Sequence, residues 1–204
     1  MSHKIITISR EFGSGGRTVG KIVAEKLGYK LYDAEIIDRV IEKSGLSREI
    51  VEKYDEYATH KSSFLYSIAI NSANTSADGY HETSFASRVH IAQLNVINEI
   101  AQEGSCVIIG RGADYILRDR EDVLNVFIYA DMKFKCDRVL SLYGETDKKI
   151  EDRIKDKDTK RRVFYRSFAM REWGMYQNYH MMLDSGAVGL DKCADMICDV
   201  AGKE

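Results

Sequence analysis

A β-branched run, a glycine-rich turn and an amphipathic helix open the chain in direct succession. They are KIITIS (Lys4 to Ser9), EFGSGGRT (Glu11 to Thr18) and RTVGKIVAEKL (Arg17 to Leu27). The run suits a strand buried on both faces, as in a parallel sheet. Along the helix Val19, Ile22, Val23 and Leu27 share a face, and Gly28 stands where a helix would stop. Such an opening commits the chain to a strand–turn–helix unit that needs a sheet to pack on.

The turn nearly matches the phosphate-binding pattern G-x-x-x-x-G-K-[ST]. Gly16 and Thr18 occupy its last glycine and hydroxyl positions, whereas Arg17 replaces the lysine and Glu11 the first glycine. Backbone N–H groups in such a turn converge on an anion, and the helix N-terminus adds partial positive charge. Gly13, Ser14, Gly15, Gly16, Arg17 and Thr18 are therefore the candidate cradle, with the Thr18 hydroxyl a candidate ligand for Mg2+. Arg17 keeps the lysine's charge on a larger, planar group. A dinucleotide loop would need G-x-G-x-x-G, and Thr18 stands at its third glycine. A turn using glycine for geometry alone is the remaining alternative.

The same two periods continue along the chain. Strands are expected at Lys30 to Tyr32, Cys106 to Ile109, Val123 to Tyr129 and Met181 to Asp184. Helices are expected at Ala34 to Lys43, after Ser47 as a cap, and at Ser87 to Glu103, Met132 to Leu142 and Leu190 to Val200. Glu145 to Tyr179 reads as charged and mainly helical, and Glu56 to Ser87 as an irregular lid or insertion. Strands alternating with helices indicate an α/β fold with a mostly parallel sheet, which binds ligands at the strands' carboxyl ends. The glycine turn, Asp33, Gly110-Arg111 and Ala130-Asp131 all fall at such ends.

Charge separates the candidate residues further. Arg111, between two glycines after a buried strand, faces the ligand crevice; Arg39, inside a helix, by itself better suits a solvated face. From Lys133 to Glu172 there are 13 basic and 8 acidic residues, a net of +5 in a chain of net −2. Within DKDTKRRVFYR, Asp158 stands three residues before Arg161 and four before Arg162, so one helix face can present arginines held by a carboxylate. Phosphoryl transfer needs such fixed positive groups and a lid that excludes water. The net charge argues against a general nucleic-acid binder, and no apolar stretch approaches membrane-spanning length. The four cysteines are scattered and read as free thiols of a cytoplasmic protein.

ITISREFGSGGRTVGKIVAEKLGYKLYDAEII, GSCVIIGRGADYIL, DKDTKRRVFYR and WGMYQNYHMMLDS, in that order, resemble the cytidylate kinase-like proteins, P-loop nucleoside monophosphate kinases. The resemblance implies one domain with a five-stranded parallel sheet in the order 2-3-1-4-5. It divides the chain into a core (1–44, 88–144 and 180–204), a nucleotide-monophosphate-binding insertion (about 45–87) and a helical lid (about 145–179). It implies ATP, Mg2+ and small-molecule nucleotides as partners, with transfer to CMP or dCMP. By position, Asp33 would lie beside the acceptor, Arg39 on its phosphate and Arg111 on its nucleotide. Asp158 and Arg161 would reach its sugar and phosphate, and Arg153 or Lys157 would add lid charge. Arg17, Asp33 and Arg161 are then the candidate catalytic residues, and Arg162 a further acceptor contact. Authentic cytidylate kinases keep the loop's lysine and first glycine, and carry serine where this chain has Ala34. A kinase for another small phosphate acceptor, or a nucleotide-binding regulator without turnover, are the alternatives. Asp131 suits a helix cap or a place near ATP.

Overall fold

The computed structural model describes residues 3–55 and 77–202. Its strands are β1 (Ile5–Arg10), β2 (Lys30–Tyr32), β3 (Cys106–Ile109), β4 (Val123–Tyr129) and β5 (Met181–Asp184). They form one five-stranded sheet in the order β2-β3-β1-β4-β5, with every pairing parallel. Ile5 lies opposite Cys106 on one side and Val123 on the other, so β1 is the central strand.

Alternation along the strands feeds two cores. Ile5, Cys106, Ile108 and Val123 face one side; Ile6, Ile8, Val107, Ile109, Leu124, Val126 and Ile128 face the other. The first side is covered by α2 (Glu35–Ser44), α3 (Arg48–Tyr54) and α4 (Ala77–Glu103), the second by α1 (Gly16–Leu27) and, after short α8 (Ser185–Val188), by α9 (Leu190–Ala201). Gly28 stops α1 in the left-handed conformation, and Ser47 caps α3 by accepting the Ile50 N–H.

Two expected boundaries move. Helix α4 begins at Ala77, ten residues before the expected start at Ser87, because propagation from an established helix is easier than nucleation. The expected irregular segment Glu56 to Ser87 is thus helical from Ala77; the rest of it lies outside the described residues. The charged segment narrows to α7 (Ile150–Ala169), ended by Met170 at φ 48°, then a 3-10 turn (Tyr176–Asn178) leading into β5. It is joined to the sheet through α6 (Met132–Tyr143); short α5 (Ala113–Ile116) follows β3. Among the described residues, no helix is long and apolar enough to cross a membrane.

Candidate active site

The glycine turn sits between the carboxyl end of β1 and the start of α1, as a phosphate cradle requires. Gly15 has φ 82°, and a Cβ there would lie 2.5 Å from the Leu190 side chain, so only glycine lets α9 approach. Ser14 is fully buried: its hydroxyl lies 2.9 Å from the Glu11 carbonyl and 3.0 Å from that of Ile128, and its N–H donates to Glu11. Ser14 therefore supports the turn from beneath, whereas Gly13, Gly15, Gly16, Arg17 and Thr18 line the cavity above it.

The two departures from the usual loop have distinct partners. The Glu11 carboxylate turns away to accept from Lys135 Nζ at 2.8 Å and from the Ala130 N–H at 3.4 Å. Lys135 is almost fully buried, so it neutralises a carboxylate that would otherwise repel a phosphate. Arg17 Nε donates to Asp33 at the end of β2. The Thr18 hydroxyl accepts from Arg138 at 2.7 Å, and the Arg138 guanidinium lies over Gly15.

Helix α7 crosses this cavity and is tied to it. Asp158 accepts from the Phe12 N–H at 2.7 Å and from Arg161 at 3.2 Å. Arg161 also donates to the Arg10 carbonyl at 3.1 Å. Burial pushes the Asp158 carboxyl up to about 6, against the opposing pull of Arg161 and the Phe12 N–H. Further along, Tyr165 donates to the buried Asp114 carboxylate at 2.7 Å, and Phe168 packs over Gly112. Burial and Asp114 raise the Tyr165 hydroxyl, so it stays a donor at neutral pH.

On the acceptor side, Arg111 is 1% exposed and has φ 53°. It grips Asp55 through Nε at 3.1 Å and a terminal nitrogen at 3.4 Å, and approaches Asp33 at 3.7 Å. The structure thus brings Arg17, Asp33, Arg111, Asp158 and Arg161 around one crevice. Arg39 is not among them: it pairs with Glu103, whose carboxyl Arg39 and Tyr32 hold down at about 2. Arg162 is exposed, with its guanidinium 6.0 Å from the Trp173 ring. Asp131 is a cap, accepting the Phe134 N–H at 2.8 Å.

Arg10, Asp55, Asp114, Lys135 and Arg138 also belong to the site, without a motif that marks them. Arg10 ends β1 and lines the cavity, so the strand-end argument applied to Arg111 would have found it. The others carry no local signal, since each matters only through a partner distant in sequence.

The family model for the cytidylate kinase-like family matches residues 5–187. The chain belongs to that family. A protein named cytidylate kinase from Archaeoglobus fulgidus is 28% identical over 197 residues, 94% of this chain and 91% of its own. An uncharacterized protein from Eubacterium ventriosum, solved by crystallography, is 27% identical with a TM-score of 0.71, covering 98% of this chain and 99% of its own. Shikimate kinase from Acinetobacter baumannii shares the fold at a TM-score of 0.52 and 16% identity, covering 96% of this chain and 91% of its own. Family and fold together support a P-loop kinase that transfers a phosphoryl group.

Proposed function

We propose that the chain phosphorylates a nucleoside monophosphate from ATP, with CMP or dCMP giving CDP or dCDP. The observation that carries this reading is a phosphate-type loop whose cavity is lined by Arg17, Arg138 and Arg161, in a chain of the cytidylate kinase-like family. The A. fulgidus relative's name supports CMP as the first acceptor to test.

The residues present fit the nucleotide. The turn offers a helix N-terminus and a close-packed glycine backbone to the ATP phosphates. Thr18 offers one hydroxyl, which suits Mg2+, a hard cation held by few protein oxygens together with substrate phosphates. Arg138 already donates to that hydroxyl, whose oxygen keeps a second lone pair for a cation. When bound, the ion neutralises developing phosphate charge. Arg17 and Arg161 hold the phosphates in place, and Arg111, anchored by Asp55 and lining a neighbouring pocket with Arg161, is assigned to the acceptor. Asp158 fixes Arg161, and α7 excludes water as the lid. The division that goes with this reading is a core of 1–44, 88–144 and 180–204, an insertion at about 45–87 assigned to the acceptor, and a lid at about 145–179. We place the activity in the cytoplasm.

The test is ADP release with ATP, Mg2+ and each nucleoside monophosphate in turn. Turnover highest with CMP or dCMP is expected. No ADP with any of them would overturn the reading, and ATP binding without turnover would leave a regulatory nucleotide binder.

A further inference from the structure

We propose that Asp33 is a positioning residue that acts through Arg17, rather than a contact for the acceptor. This rests on the phosphoryl-transfer reading above. A line of alternating charges leads from the end of α3 to the phosphate loop: Asp55, Arg111, Asp33 and Arg17. Its inner end is rigid. Asp55 and Arg111 are 5% and 1% exposed and meet through two hydrogen bonds. Its outer end is accessible, with the Arg17 side chain 57% exposed and Asp33 13%. An ion pair that accessible contributes little to stability, so direction is the property it can supply.

Direction is also what the lysine-to-arginine change in the loop requires. A lysine carries its charge and three rotatable donors on one compact nitrogen, so it has no separate edge to set against a carboxylate. A guanidinium is a planar fork whose Nε–H can rest on a carboxylate while its terminal N–H groups address a phosphate on another edge. Asp33 takes the Nε edge of Arg17. A long arginine that would otherwise sample many rotamers is thereby oriented over the turn. The acidic residue at the end of β2 and the arginine of the loop then form one functional unit, with a planar two-edge geometry that a lysine lacks.

A double-mutant cycle tests this. Asp33→Asn keeps shape and removes the charge, Asp33→Glu moves the carboxylate, and Arg17→Ala removes its partner. The expected result is that Asp33→Asn lowers kcat about tenfold with the KM for CMP nearly unchanged, and Asp33→Glu restores part of the loss. In calorimetric titration with ATP, Asp33→Asn alters the Kd in the wild-type background but not beside Arg17→Ala. Equal effects of Asp33→Asn in both backgrounds, or a loss confined to the KM for CMP, would overturn the proposal. The ATP titration does not depend on turnover, so a wild-type protein that releases no ADP refutes the kinase reading while the cycle still decides the role of Asp33. Thermal melts of each variant separate misfolding from either result.

Discussion

Asp158 carries the sharpest conflict between charge and burial at the site, with Arg161, Lys135 and Glu11 acting on it. Its carboxyl rises from an ordinary value of 3.8 to about 6, so the folded protein holds this proton more tightly than the unfolded chain. Its contribution to stability is therefore fully present below about pH 4 and is lost as pH rises through about 6, a span of at most roughly 3 kcal/mol. Urea unfolding at pH 4 and pH 7 should show wild type losing stability relative to Asp158→Asn as pH rises; a constant difference would sink the argument. On the functional side, Arg17→Ala and Arg161→Ala should each lower kcat by about a hundredfold or more, the scale of removing a charge that meets the phosphate in transfer. Steady-state kinetics with CMP checks this, and unchanged turnover in either variant would remove that residue from the site. Asp158 and Arg161 were legible as a pair because helical spacing alone brings them together. Arg39, whose helix position by itself favours a solvated face, pairs with Glu103, a partner that no local pattern announces.

Among the elements, α7 decides how closed the site is. It is held along its length by Asp158 on Phe12, Arg161 on Arg10, Tyr165 on Asp114 and Phe168 over Gly112. Gly112 has φ 64°, and a Cβ there would lie 2.1 Å from the Phe168 ring. Gly112→Ala should therefore cost about 2 kcal/mol or more, from backbone strain plus overpacking. Phe168→Ala removes the clash but leaves the strain, so the double variant should be destabilised by less than the sum of the singles. Guanidinium unfolding of all three proteins gives the comparison, and simple additivity would mean the ring does not press on Gly112. The strands after β1 have the bounds that their largely apolar runs indicate, and the polar Asn125 buried within β4 is accommodated by accepting from the Thr7 hydroxyl at 2.7 Å. Helix ends were less legible: the polar start of α4 has no apolar period, and α7 ends at Met170 by backbone conformation alone.

At the scale of the whole molecule, nucleotide binding should be visible as stability. ATP with Mg2+ at about a hundred times its Kd adds about 2.7 kcal/mol, which in a chain of 204 residues raises Tm by about 5–10 °C. Differential scanning fluorimetry measures this, and a Tm indifferent to ATP would exclude the cradle as a nucleotide site. The sequence made the strand–turn–helix opening, the spans of the strands after β1 and the α/β class legible, since periodicity and glycine placement act over a few neighbouring residues. It also held the ordered motifs by which the family was legible. Only the tertiary structure decided which charges meet. Arg39 with Glu103, Thr18 with Arg138 and Glu11 with Lys135 lie 64, 120 and 124 residues apart. Such pairs exist only once elements distant in sequence have packed together around the sheet of order β2-β3-β1-β4-β5. A charged side chain shows its sign in the sequence, but its partner is chosen by the packing of elements that local periodicity does not relate to one another.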